Sequence, residues 1–454
     1  MITPLSSSKK LLFLMFFAAF TTQLNAQSTV DKYVDYGLKN NLVLQQKNVS
    51  LESAMYSLRE ARSLFLPSIT LLGDYQSGEG GRSIDFPVGD LLNPAYQTLN
   101  QLIGQQAFPM LENVNINFLP NNYYDVKLRA SMPLFNTDII YNKKIQSGQV
   151  QLKQSELDAY KAELTKEIKS AYYTYLSSLS AVNIYEDASK LASEGKRVNE
   201  SLAANGKAVK AYVIRSESEL QQVEAKRKSA IEQAHNAQLY FNFIINAEAS
   251  QEIDTTGMHQ MDLAKAESYL LADPDISKRS ELKTLAQAEE ISKNAYKLSS
   301  SYMIPKVSGF IDYGSQSADW IYNSETRYYF AGVHLELPLF TSGQNSYKKH
   351  RAELTMKNQS LTTDYTTKQI KLAASAAKNN LRIAYENYLS SVKQEESAQY
   401  YNRLIQKGYT EGVNSFIESI DARTQLTAAS LQRVISQNQL QIATITFERE
   451  TSNN

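Results

Sequence analysis

The sequence predicts a mostly α-helical protein with a membrane β-barrel portion. Duplicated long-helix hairpins form a periplasmic α-barrel, and four β-strands per protomer close as a 12-stranded barrel only in a trimer. Three observations predict this: the chain writes the same order of elements twice, two long stretches have few breakers or none, and four short segments alternate polar with apolar residues.

The duplication comes first. "ARSLFLPSITLLGDY" (61–75) lies over "SSSYMIPKVSGFIDY" (299–313), with Pro67 on Pro305, Asp74 on Asp312 and Tyr75 on Tyr313. Downstream, "MPLFNT" and "LPLFTSG" align through Pro133 and Pro338, and Gly206 falls on Gly412. Each half reads helix, Pro, strand, loop, strand, Pro-Leu-Phe, long helix, Gly turn, helix. The first repeat is 27–250 and the second 276–454, with 251–275 as an irregular equatorial connector.

From Asn136 to Ala203 the only breakers are Gly148 and Gly195, and from Gln344 to Lys407 there is none. At 1.5 Å per residue each stretch is about 100 Å of helix, too long for one compact domain. Leu157, Tyr160, Leu164, Ile168, Tyr172, Tyr175 and Leu179 share one helix face. Ile370, Ala373, Ala377, Leu381, Ala384, Tyr388 and Val392 share another, as helix-on-helix packing requires. Each long helix turns back at glycine: Gly206 in the first half, Gly408 and Gly412 in the second.

Strands are expected at about 68–76, 123–132, 306–314 and 327–337, where the period changes from 3.6 to 2. In 124–132, Tyr124, Val126, Leu128, Ala130 and Met132 share one face, and Asp125, Lys127, Arg129 and Ser131 the other. Such lengths and tyrosine ends fit outer-membrane strands, with tyrosine in the aromatic girdles. A half-buried sheet on a soluble domain is the alternative. Four strands cannot close a barrel and open edges are not tolerated in lipid, so the chain must oligomerise; three copies supply twelve strands. Proline cannot donate to a ladder but is tolerated in a first helical turn. Pro67, Pro133, Pro305 and Pro338 therefore read as the seam between barrel and tunnel.

Residues 1–26 read as a secretory signal: Lys9 and Lys10, the apolar run "LLFLMFFAAF", then Ala26 at the cleavage point. Lys+Arg and Asp+Glu balance at 47 each, giving nucleic acid no electrostatic hold. Cysteine is absent, and the four His are scattered. No GxSxG, P-loop or HExxH occurs, and Glu232–His235 is a lone Glu-x-x-His where a bundle metal site needs two, so the reading is not an enzyme, with no cofactor and no metal site. The rival of another class is a soluble periplasmic coiled-coil adaptor or scaffold.

The repeat order, both Pro-Leu-Phe junctions and "YTEGVNSFIESIDARTQL" together resemble the TolC-like outer-membrane efflux family over nearly the whole mature chain. The resemblance implies a homotrimer in the outer membrane with its helical tunnel in the periplasm. It implies a passive exit duct of a tripartite system, carrying small molecules such as drugs, toxic compounds or metals, and opened by a periplasmic adaptor and an inner-membrane pump. A type I protein-secretion duct is the alternative. By position, Glu418 and Asp421 match the family's constriction acids and Tyr409 its gate tyrosine; the tip turns Gly206, Lys207, Gly412 and Val413 match its adaptor contacts. Asn414 and Tyr212 stand where the family's gate Arg and Asp would be, so that salt bridge cannot form. Lys207 or Lys210 paired with Glu411 or Glu418 is the substitute considered. The interval from Pro67 to Pro133 is twice that from Pro305 to Pro338. The extra residues, about 80–118, are expected outside the cell with a short helix through Leu91, Leu92, Leu99, Leu102 and Ile103, as a lid or as an ordinary exposed loop.

Overall fold

A computed structural model describes residues 29–118, 121–256 and 262–451; the expected signal segment, 1–26, lies outside them. The chain forms two compact units, each drawing on both repeats: 52–151 with 287–361, and 1–51 with 152–286 and 362–454. In chain order the elements are α1 (Thr29–Asn40), α2 (Leu42–Ser63), β1 (Ser68–Gln76), β2 (Ser83–Phe86), α3 (Val88–Ile103), β3 (Val114–Asn117), β4 (Tyr123–Phe135), α4 (Thr137–Ala204), α5 (Lys210–Ile245), α6 (Leu263–Leu271), α7 (Ser280–Ser300), β5 (Lys306–Ala318), β6 (Arg327–Glu336), α8 (Gln344–Thr410) and α9 (Phe416–Thr451).

In the first unit β1, β4, β5 and β6 form one antiparallel sheet in that order. The register puts Leu71 opposite Leu128, Leu128 opposite Tyr313, and Tyr313 opposite Tyr329. Period-2 apolar residues thus line up across all four strands. β4 and β5 run beyond the expected ends, to Phe135 and Ala318. Pro133 therefore sits inside β4, at a register shift between Pro133 and Phe135, a bulge being one of the few places a sheet accepts proline. Pro338 follows β6 and precedes α8, while Pro67 and Pro305 directly precede β1 and β5.

The long insert has its own hairpin stem, β2 paired with β3, which the sequence reading did not anticipate. The expected helix is α3, closed by Gly104 at a φ of 64°. Asn93 and Asn100 each accept from and donate to the returning backbone, at Leu111 and Phe108 respectively. Four side-chain bonds thus replace the sheet that this strand-like return lacks.

In the second unit Leu157, Leu164, Ile168, Tyr172 and Tyr175 of α4 are buried with Val34, Phe241 and Ile245, and Tyr160 and Leu179 pack against them. On α8, Ile370, Ala377, Leu381 and Ala384 are buried, but Ala374 faces inward and Ala373 is exposed. An alanine at each position left the choice to the 3.6-residue period, which favours a step of four from Ile370. The connector is not irregular throughout. It contains α6, whose Asp262 N-cap accepts from the Lys265 N–H at 2.9 Å, and whose Ala266 is buried with Leu381, Leu440 and Phe447.

Candidate functional site

Both helical hairpins turn by the same device. Gly206 and Gly412 have φ of 69° and 80°, in the left-handed region that favours glycine. The Lys207 N–H bonds the Leu202 carbonyl at 2.8 Å and Gly206 that of Ala203 at 3.0 Å; Val413 bonds Gly408 at 2.7 Å and Gly412 that of Tyr409 at 3.1 Å. These are paired Schellman closures, which satisfy the last carbonyls of each helix. A side chain at Gly408 would meet Asn414 Oδ1 at 1.9 Å, so that glycine makes room for the turn.

The following helices start differently. α5 begins at Val209 with no side-chain cap. α9 begins with a capping box: the Glu418 carboxylate accepts from the Ser415 N–H at 2.6 Å, and Ser415 Oγ accepts from the Glu418 N–H at 3.2 Å. Those bonds, with one from Asn414, hold the Glu418 carboxyl below the usual carboxylate range. Glu418 and Asp421 are both exposed, and Asp421 accepts a bond from Gln425 at 2.8 Å. Lys207 and Lys210 form no ion pair with Glu411 or Glu418 among the described residues.

What joins the two hairpins near their turns is aromatic packing and one buried ion pair. Tyr409 donates to Asn199 Oδ1 at 2.8 Å, and burial raises its phenol pKa. The ring of Phe416, 2% exposed, lies 5.1 Å from Tyr212 and 6.1 Å from Tyr409. Thus Tyr212, where the family's gate acid would stand, supplies an aromatic contact instead. Further from the turn, Arg423 grips Glu219 with both Nε (3.3 Å) and Nη2 (2.7 Å). The pair is largely dry, with side chains 6% and 13% exposed. Gly195 of α4 leaves space for the guanidinium; a Cβ there would lie 2.4 Å from Arg423 Nη1. Sequence reasoning missed this contact, whose residues lie in different repeats. It also missed the capping box, whose Ser-x-x-Glu signature at 415–418 was there to be read.

The sheet carries the second functional feature. Its apolar face is exposed: Ile69, Leu71, Leu128, Ile311 and Val333 all lie open on it, Leu71 at 68%. Its polar face carries the ion pairs. Arg129 bonds Asp312 through Nε and Nη2 at 2.7 and 2.6 Å, and Asp312 is 3% exposed. Asp125 pairs with Lys127 and accepts from the Tyr328 hydroxyl at 2.6 Å. At the end of the sheet that bears the insert, the chain's single Trp, Trp320, stacks on both Tyr75 and Tyr124 at 5.4 and 5.6 Å. Tyr322 completes the cluster at 4.5 Å from Tyr124. Such a sheet has hydrocarbon on one side, polar groups on the other and an aromatic rim, the arrangement of an outer-membrane strand set.

Comparison with known proteins agrees. Residues 276–449 match the family model of outer membrane efflux proteins. No curated protein matches the sequence. The fold is close to that of a membrane protein from Pseudomonas aeruginosa (16% identity, TM-score 0.77, covering 94% of each chain). It is similarly close to the outer-membrane channel OprN (15%, 0.75, covering 94% of this chain and 90% of that one). The outer membrane protein VceC of Vibrio cholerae also matches (13%, 0.73, covering 93% and 95%).

Proposed function

We propose that this chain, whose residues 276–449 match the family model of outer membrane efflux proteins, is one third of a trimeric exit duct that passes small molecules from the periplasm to the exterior. The observation that carries the reading is the inverted sheet with two open edges. β1 and β6 each have one unpaired side. The strands alternate in direction, so β6 of one copy meets β1 of the next antiparallel, and closure needs no change of pattern. The helices fit the same closure. α2 leads into β1 and α8 follows β6, so pairing those edges brings α8 beside α2 of the next copy. Both helices carry exposed apolar residues at heptad spacing, Leu42, Val49 and Tyr56 on α2 and Tyr347, Leu354 and Leu361 on α8, the signature of a helix seam awaiting its partner.

In this reading the tips Gly206–Lys207 and Gly412–Val413 meet a periplasmic adaptor that works with an inner-membrane pump. Asp421 and Glu418 form acidic rings at the narrowing, with Tyr409 behind them. Exposed carboxylates in a ring favour cations at a constriction. The sharper test is Asp421→Asn, because Glu418→Gln also weakens a helix cap. Purified trimers in planar bilayers should conduct, and Asp421→Asn should lower the cation-to-anion permeability ratio. An unchanged ratio removes Asp421 from the constriction, and the absence of heat-modifiable trimers from outer-membrane fractions overturns the duct.

A further inference from the structure

The four helix ends next to the sheet gather cations that have no acidic partners. α2 ends with Arg59 and Arg62, and α7 with Lys293 and Lys297. α4 places Lys143 and Lys144 in its second turn, and α8 places Lys348, Lys349 and Arg351 in its second. All are exposed or half-buried, and none joins an ion pair among the described residues. Elsewhere on the long helices some cations bridge to acids one turn away, as Lys153 to Glu156, Arg227 to Glu224 and Lys393 to Glu396. Asp138, the acid in the first turn of α4, is already paired with Lys306, and α8 has no acid in its first turn. Two helix N-termini thus add their positive ends to the same band.

Immediately on the sheet side of these cations stands a ring of exposed apolar residues. Leu66 precedes β1, Ile304 precedes β5, Leu134 ends β4, and Leu339 and Phe340 follow β6; Phe340 is 86% exposed. Lys143 lies 5.7 Å over the ring of exposed Phe65, tying the two bands together. An apolar band followed within two helical turns by unpaired cations is how a protein meets lipid headgroups at a bilayer boundary. Resting on the reading of this sheet as membrane-embedded, we infer that this collar binds anionic glycerophospholipid headgroups of the periplasmic leaflet, with Lys348, Lys349 and Arg351 as its densest segment.

The test compares the full-length protein with the triple variant Lys348→Gln/Lys349→Gln/Arg351→Gln. Lys226→Gln/Lys228→Gln, at exposed positions of α5, serves as a control of similar charge change. Each is reconstituted in phosphatidylethanolamine containing a minority of phosphatidylglycerol, and the lipid retained on the released trimer is counted by native mass spectrometry. The wild type and the control should enrich phosphatidylglycerol, and the triple variant should lose that enrichment by about fivefold for each cation removed, while still forming heat-modifiable, conducting trimers. Equal enrichment in the triple variant overturns the inference. So does an altered ion selectivity with lipid retention unchanged, which would put these cations in the tunnel. If the wild type itself forms no conducting trimer, the duct reading fails and the collar falls with it.

Discussion

The sheet and the helical unit bury opposite things. In the helical unit the interior is apolar, built from Leu164, Ile168, Phe241 and Leu381, and its charges mostly lie on the outside. In the sheet, Leu71, Ile311 and Val333 lie outside while Asp312 is hidden. The hydrophobic effect is the same in both; what differs is the medium each surface meets. Buried charge occurs in both regions, but by different means. Arg129 and Asp312 sit on adjacent strands of one sheet, whereas Arg423 and Glu219 join separate helical hairpins.

That contrast can be broken from either side. The largest effect is expected at the helical end. Glu219→Ala leaves Arg423 buried without its partner, which costs about 3–5 kcal/mol. Chemical denaturation in detergent should show the loss, and Glu219→Gln, which keeps a hydrogen-bond acceptor, should recover part of it. A next, slightly smaller effect belongs to the sheet. Leu128→Arg replaces an outward aliphatic side chain and should cost about 2–4 kcal/mol near the bilayer midplane. Urea unfolding in lipid vesicles would measure it. Wild-type stability after this change would mean that Leu128 faces water rather than hydrocarbon.

The smallest effect is a pH response confined to the helical unit. Arg279 bridges Glu281 and Glu450, and Arg449 bridges Glu281 and Glu163. Burial pushes the Glu281 carboxyl up, but the Arg279 hydrogen bond, its own backbone N–H and the charges of Arg449 and Arg279 outweigh this and bring it down from 4.5 to about 2. A depressed carboxylate stabilises the fold above its unfolded pKa. This contribution should be complete above about pH 4.5 and fade as pH falls towards 2. Thermal unfolding followed from pH 6 downwards should show the decline, and Glu281→Gln should flatten it. The response is modest because the Glu281 side chain is 27% exposed, so solvent screens part of its interaction with the arginines.

Much of this architecture was legible in the chain. The stripe Leu157–Leu164–Ile168–Tyr172 reported a buried helix face because 3.6-residue spacing is a local property. The alternation 124–132 reported a two-faced sheet for the same reason. Periodicity could not say which face was covered, and composition helped little, since Leu128 would suit a soluble core equally well. The choice between Ala373 and Ala374 was beyond sequence because both are alanine. Glu418 was legible as an acid near a turn, yet its bond to Ser415 was overlooked in favour of a role in the pore.

By itself the sequence determined the duplication, the long helices, the glycine turns and the four alternating strands, because each is written in residues near one another in the chain. Only the tertiary structure decided that the sheet wears its apolar residues outside, that Arg423 finds Glu219 beside Gly195, and that the cations below the sheet have no partners. Those are long-range facts. They depend on which helix or strand lies beside which, and free energy is settled there by burial and pairing rather than by local propensity.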